Sequence, residues 1–158
     1  MEHHVAHTGF AIIVSMATAP DPSERVVEQR LRNRAIEALE TLAEGDDGVR
    51  SMGVGEYVEE FFDVIDDRSP WRWRTWSVFN ADEVRALGVV HDLLVRACDE
   101  TPQVPTPEGT FDDDNEDFIR TGWPFRIQPA ASAALDLMLA RGRFSEEQEE
   151  VEPGRPRE

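Results

Sequence analysis

The sequence predicts an all-α fold, or one nearly so, with about four helices packed around a buried central helix. Three observations lead there. First, Asn80 and Glu83 have the spacing of a capping box, and a long apolar-periodic run follows them. In that run Val84, Leu87, His91, Leu94 and Cys98 recur at helical spacing, beside a second row of Ala86, Val90, Leu93 and Ala97. Only a narrow stripe of Asp82, Arg85, Asp92, Arg96 and Asp99 is polar, so the helix needs neighbours on several sides. Second, two further long segments, 22–44 and 129–141, carry helical apolar rows. Third, the β signals are few: the one candidate element pairs 10–16 with 71–79.

Taken in order, residues 1–8 read as a polar, histidine-rich flexible end. Segment 10–16 is apolar and β-branched, and suits either a strand or a helix. Asp21 and Pro22 open the first helix, 22–44, whose stripe is Val27, Leu31, Ala35, Leu39 and Leu42, widened by Ile36 and Ala38. Glu28 and Arg32 on it form an i,i+4 pair. The run Gly45-Asp46-Asp47-Gly48 reads as the turn that ends it.

The second helix, 56–67, sets Tyr57, Val58, Phe61, Phe62 and Ile65 against a face of Glu56, Glu59, Glu60, Asp63, Asp66 and Asp67 with no basic residue between them. Like charges at this spacing cost stability, and Asp66 and Asp67 meet the negative end of the helix dipole. Such a face calls for a dominant aromatic packing side or for something positive outside. Ser69-Pro70 breaks into the tryptophan segment 71–79. After the central helix, 81–100, Pro102, Pro105 and Pro107 make an extended connection to an acidic loop, 112–117. Phe118, Ile119, Trp123 and Phe125 then anchor the chain. The last helix, 129–141, turns Ala130, Ala133, Ala134, Leu137 and Met138 inward, with Leu135 and Leu139 beside them. Gly142 stops it, and Phe144 is placed to fold back. One helical domain over 9–144 is expected, followed by an acidic, disordered tail over 145–158.

The totals narrow the function classes. A chain of 158 residues with 40% hydrophobic and 31% charged residues has the material for one cored domain. Its net charge of −17 opposes nucleic acid and anionic membranes and favours a basic protein or a cation as partner. All 16 basic residues are arginine, which fits a GC-rich, bacterial coding sequence. The single cysteine, Cys98, excludes an internal disulfide and any multi-cysteine metal site, and its place on an apolar helix face marks it as core. No apolar run reaches the roughly 20 residues that cross a bilayer. The leading MEHHVAHT carries Glu2 and no basic residue, unlike a signal peptide, so a cytoplasmic location is expected.

Candidate chemistry is sparse. The acidic residues 112–117 offer carboxylates to calcium, but neither frame of an EF-hand fits, and a solvated loop is the expectation. His3 and His7 are four apart at an end expected to fray. His91 lies on the apolar face of the central helix, with Asp92 expected to point elsewhere. The most unusual segment is Trp71, Arg72, Trp73, Arg74, Thr75, Trp76, locally basic on an acidic chain. Tryptophan and arginine dominate binding hot spots, and they serve equally as core anchors with internal counter-charges. Phosphate-binding glycine loops, nucleophile elbows and zinc-binding HExxH patterns are absent from the sequence, and no metal or cofactor is assigned.

These features predict a non-catalytic acidic protein-binding module, an inhibitor, immunity-like protein or adaptor, that recognises a basic partner protein. Its candidate binding residues are Glu56, Glu59, Glu60, Asp63, Asp66, Trp71, Arg72, Trp73 and Arg74. Two alternatives are a metal-dependent hydrolase combining the 112–117 loop with His91, and a structural subunit that self-assembles through the tryptophan segment.

Overall fold

A computed structural model of the chain describes residues 21–101 and 111–154, and over these residues the fold is all-α. Among the described residues six helices stand where four were expected. They are α1 (Glu24–Ala43), α2 (Asp46–Met52), α3 (Val54–Phe62), α4 (Ala81–Glu100), α5 (Phe111–Arg120) and α6 (Trp123–Arg141), with a 3-10 turn at Trp73–Thr75. Segment 71–79 therefore does not form a strand, and its supposed partner, 10–16, lies outside the described residues.

Three of the helices begin where a side chain satisfies an unpaired N–H group. Ser23 caps α1 by accepting from the Val26 N–H. Asn80 and Glu83 form the reciprocal capping box on α4, at 2.8 and 3.0 Å. The N–H of Val54, at the start of α3, donates to buried Asn115 of α5 at 3.0 Å. The acidic segment around 112–117 is thus helical rather than a loop, with one polar member directed into the core. Gly45-Asp46-Asp47-Gly48 opens α2 rather than merely ending α1, since Asp46 and Asp47 stabilise the positive end of a helix dipole. Gly48 permits this packing: a Cβ there would stand 2.2 Å from the Thr41 carbonyl oxygen.

The long contact of the molecule runs between α1 and α6, and α4 packs next most extensively, also on α6. The last helix, rather than α4, is therefore the hub, although α4 buries Leu87, Val90, His91, Leu94 and Ala97 much as its periodicity predicts. Helix α6 starts six residues earlier than expected, after left-handed Gly122, with Pro124 in the first turn and Pro129 accommodated inside. Its buried row is Trp123, Ile127, Ala131, Ala134 and Met138, while Ala133 faces outward.

One expectation about a charged residue fails instructively. Arg32 does not pair with Glu28 on the surface. It is wholly buried and donates to Glu83 at 2.6 Å, to the Gly142 carbonyl at 2.6 Å and to the Met138 carbonyl at 3.4 Å. Of the tail expected over 145–158, residues 155–158 lie outside the described residues. Residues 145–154 lie on α1, where Gln29, Arg25 and Arg30 donate to their carbonyls. With little apolar surface to bury, this stretch is held through its backbone carbonyls.

Candidate functional site

Helix α3 and the loop after it carry the predicted binding residues. Burial of Val54, Tyr57, Val58 and Phe61 fixes the orientation of α3 and leaves Glu56, Glu59 and Asp63 exposed. Glu60 is half-buried and accepts from the Thr41 hydroxyl of α1 at 2.9 Å. Burial raises the affinity of Glu60 for its proton. The Thr41 hydrogen bond opposes this, and the negative charges of Glu37, Glu56 and Asp63 add to it. A field of carboxylates thus extends from α3 onto α1, and Glu37, Glu56, Glu59 and Asp63 have no cationic partner among the described residues.

Asp66 and Asp67 do not belong to that field. The helix ends at Phe62, Val64 and Ile65 turn into the core, and both aspartates fall in the following loop. Asp66 accepts from the Arg68 N–H and guanidinium at 2.9 Å each; burial pushes its carboxyl up, but the bonds from Arg68 outweigh that and hold it below its ordinary range. Asp67 is chelated by Arg74 at 2.8 and 2.9 Å and accepts from the Trp73 indole N–H at 2.9 Å. The Arg74 hydrogen bonds hold the Asp67 carboxyl low as well, against partial burial. Pairing off the helix replaces the dipole conflict that helix 56–67 would have had.

The tryptophan segment divides into inner and outer members. Trp73 is 1% exposed and meets Phe79 edge to face at 6.0 Å. Arg74 lies over the Trp73 ring at 4.5 Å, and its guanidinium rests against Gly88 of α4. Trp71 is 50% exposed, and the exposed side chain of Arg72 has no partner among the described residues. With Asp66, Asp67, Ser69, Trp73, Arg74 and Thr75 they line a shallow cleft of about 280 Å³.

His91 sits behind this loop and, contrary to the sequence reading, Asp92 faces it, with Oδ1 at 3.1 Å from Nδ1. The backbone N–H of Asp67 donates to Nε2 at 3.1 Å. A ring whose Nε2 accepts carries its proton on Nδ1, which then donates to Asp92. Asp67, His91 and Asp92 each offer a ligand atom within 4.8 Å of the others. The Nδ1–H tautomer, however, presents no lone pair toward the two carboxylates, and Asp67 is already bound by Arg74 and Trp73. The cluster has the chemistry of a latch holding the 63–75 loop to α4. No sequence signal foretold it, because residues 66–67 and 91 meet only through the loop's path.

The pairing of His91 with the acidic 112–117 segment does not form. Among the described carboxylates of α5, Glu116 binds Arg50 at 3.0 and 3.1 Å and Asp117 binds Arg120, and none of them joins His91. Cys98 is half-buried, and burial pushes its thiol up, away from the thiolate that a nucleophile needs. Among the described residues no helix is long and apolar enough to cross a membrane. Comparison with protein-family models, curated proteins and solved structures returns no match for this chain.

Proposed function

We propose that this chain is a non-catalytic acidic binding module, of the inhibitor, immunity-like or adaptor kind, that receives a basic partner protein on the outer face of α3. The observation that carries the reading is the uncompensated field of Glu37, Glu56, Glu59 and Asp63 around half-buried Glu60. Some acids elsewhere are balanced locally, as in Arg143–Glu40 at 2.8 Å and Arg50–Glu116 at 3.0 Å. A face that keeps its like charges unpaired gains most from a cationic surface laid over it. Exposed Trp71 and Arg72, in the loop that follows α3, offer further contact chemistry. The single free cysteine, Cys98, suits a cytoplasmic setting for this role.

The test is affinity capture from a lysate with the chain as bait, at low and at high salt, and with Glu59, Glu60 and Asp63 reversed to arginine. A basic protein retained at low salt, released at high salt and absent from the reversed bait is the expected result. A partner retained regardless of salt and of all three reversals would sink the proposal.

A further inference from the structure

Segment 66–72 spans two buried anchors, Ile65 and Trp73, and carries the exposed side chains of Trp71 and Arg72. Its own hydrogen bonds are local. The Ser69 N–H donates to the Asp66 carbonyl, the Trp71 N–H to the Ser69 hydroxyl, and the Arg68 and Arg74 guanidiniums to Asp66 and Asp67. Among the described residues, one hydrogen bond alone ties the segment to a residue outside 66–75: the Asp67 N–H donates to Nε2 of His91 on α4 at 3.1 Å. We propose that His91 is a pH-operated catch. It holds segment 66–72 on α4 while its imidazole is neutral, and lets go of the Asp67 N–H when the imidazole takes a second proton.

The catch depends on which ring atom carries a proton. Neutral His91 keeps its proton on Nδ1, toward Asp92, and offers the Nε2 lone pair to the Asp67 N–H. The imidazolium has no lone pair, so its Nε2–H and the Asp67 N–H become two donors facing one another. The His91 side chain is only 5% exposed, so water does not replace the lost bond at the ring. The Nε2–H turns instead to Asp66, whose Oδ1 lies 3.9 Å away. Protonation thus exchanges a backbone grip for a carboxylate, and Asp66 carries the Arg68 N–H and guanidinium with it.

The groups that face the ring fit this exchange. From its own helix, exposed Asp92 stands 3.1 Å from Nδ1, and from the loop Asp67 Oδ2 stands 3.7 Å from the same atom. Helix α3 contributes the Phe62 ring, edge to face at 5.7 Å, and among the described residues no ion-pairing group. The nearby cations, Arg68 and Arg74, are bound to Asp66 and Asp67. Burial pushes the Asp66 carboxyl up, but the bonds from Arg68 outweigh it, and Arg74 holds the Asp67 carboxyl low. Both therefore stay charged while an imidazole titrates, and charged carboxylates stabilise an imidazolium. Histidine ordinarily changes charge between about pH 5 and 8, and such a change repacks an element that one contact holds. The element here is the rim of the shallow cleft, with Trp71 and Arg72 on it. The catch stands whether or not α3 receives a basic partner.

The experiment is an NMR titration of the isotopically labelled full chain from about pH 8 to about pH 5. The His91 ring nitrogens report tautomer and charge. The scalar coupling between the Asp67 amide nitrogen and Nε2 reports the catch, and the Trp71 indole N–H reports the segment. At the upper end the Nδ1–H tautomer and a measurable coupling are expected. On protonation the coupling should vanish, the Asp67 amide should exchange with water about tenfold faster, and the Trp71 signal should move with the same midpoint. His91→Gln keeps an acceptor and has no charge to gain, so it is expected to abolish the pH response of 66–72. Asp92→Asn, on the surface, is expected to move the midpoints of all three signals to lower pH together. Should His91→Gln fail to fold, Asp92→Asn decides. The proposal is overturned if the coupling persists in the imidazolium form, or if the Asp67 and Trp71 signals follow a midpoint other than that of His91. It is equally overturned if His91→Gln leaves the pH response intact, or if His91 keeps one charge state across the range.

Discussion

Arg32 and Glu83, fifty-one residues apart, form an ion pair at 2.6 Å with both side chains wholly removed from solvent. Glu83 also caps its own helix and accepts from Arg141 at 2.7 Å, while Arg141 donates to the Val78 carbonyl. One carboxylate thus joins α1, α4 and α6. Burial pushes the Arg32 guanidinium down, and the hydrogen bond it donates to Glu83 counters this.

Removing one partner strands the other in a dry site. Glu83→Ala is expected to destabilise the chain by about 3–5 kcal/mol, and Arg32→Met by less, because Glu83 keeps Arg141 at 2.7 Å. The double variant should lose less than the sum of the two, because Glu83→Ala strands the buried Arg32 charge and the double change removes it. Urea denaturation of the four proteins measures this coupling; strict additivity would show that the pair contributes nothing as a pair.

Tyr57 gives the opposite case. Its hydroxyl is buried with no hydrogen-bond partner, and burial pushes its ionisation well above the ordinary tyrosine range. The ring itself packs well, edge to face with Phe118 at 5.9 Å. Tyr57→Phe keeps the ring and deletes the stranded group, so it should stabilise the fold by roughly 1 kcal/mol. A loss of stability in thermal unfolding would reveal a partner for the hydroxyl.

Two carboxylates act on pH stability with opposite signs. Glu60 holds its proton more tightly folded than unfolded, so its contribution is fully present below its ordinary range and is lost as pH rises through its raised value. Asp67 is held low, chiefly by Arg74, so its contribution is present above its ordinary range and is lost as pH falls through its lowered value. At neutral pH, Glu60→Gln should raise the melting temperature and Asp67→Asn should lower it. Melting curves across pH 3 to 8 check both directions. Reversal of either sign would mean that the folded environment of that carboxylate is misassigned.

Much of the fold was legible because helices announce themselves locally. The capping box of Asn80 and Glu83, the buried band of Leu87, Val90, His91 and Leu94, and the stop at Gly142 depend on spacing and cap chemistry within a few residues. The acidic residues Glu56, Glu59 and Asp63 also face outward as their helical spacing requires. The same local logic failed for 111–120, where a run of acids hid the apolar positions of a short helix that Asn115 ties to α3.

By itself the sequence determined an all-α fold, the boundaries of its strongest helix and the outward face of α3, all consequences of periodicity over neighbouring residues. Only the tertiary structure decided that Arg32 is buried with Glu83, that His91 receives the Asp67 N–H, and that Gln29 and Asn33 hold the segment after α6. A buried charge or amide looks in sequence like an exposed one. What separates them is the partner that folding brings from fifty or a hundred residues away, without which burial would be too costly.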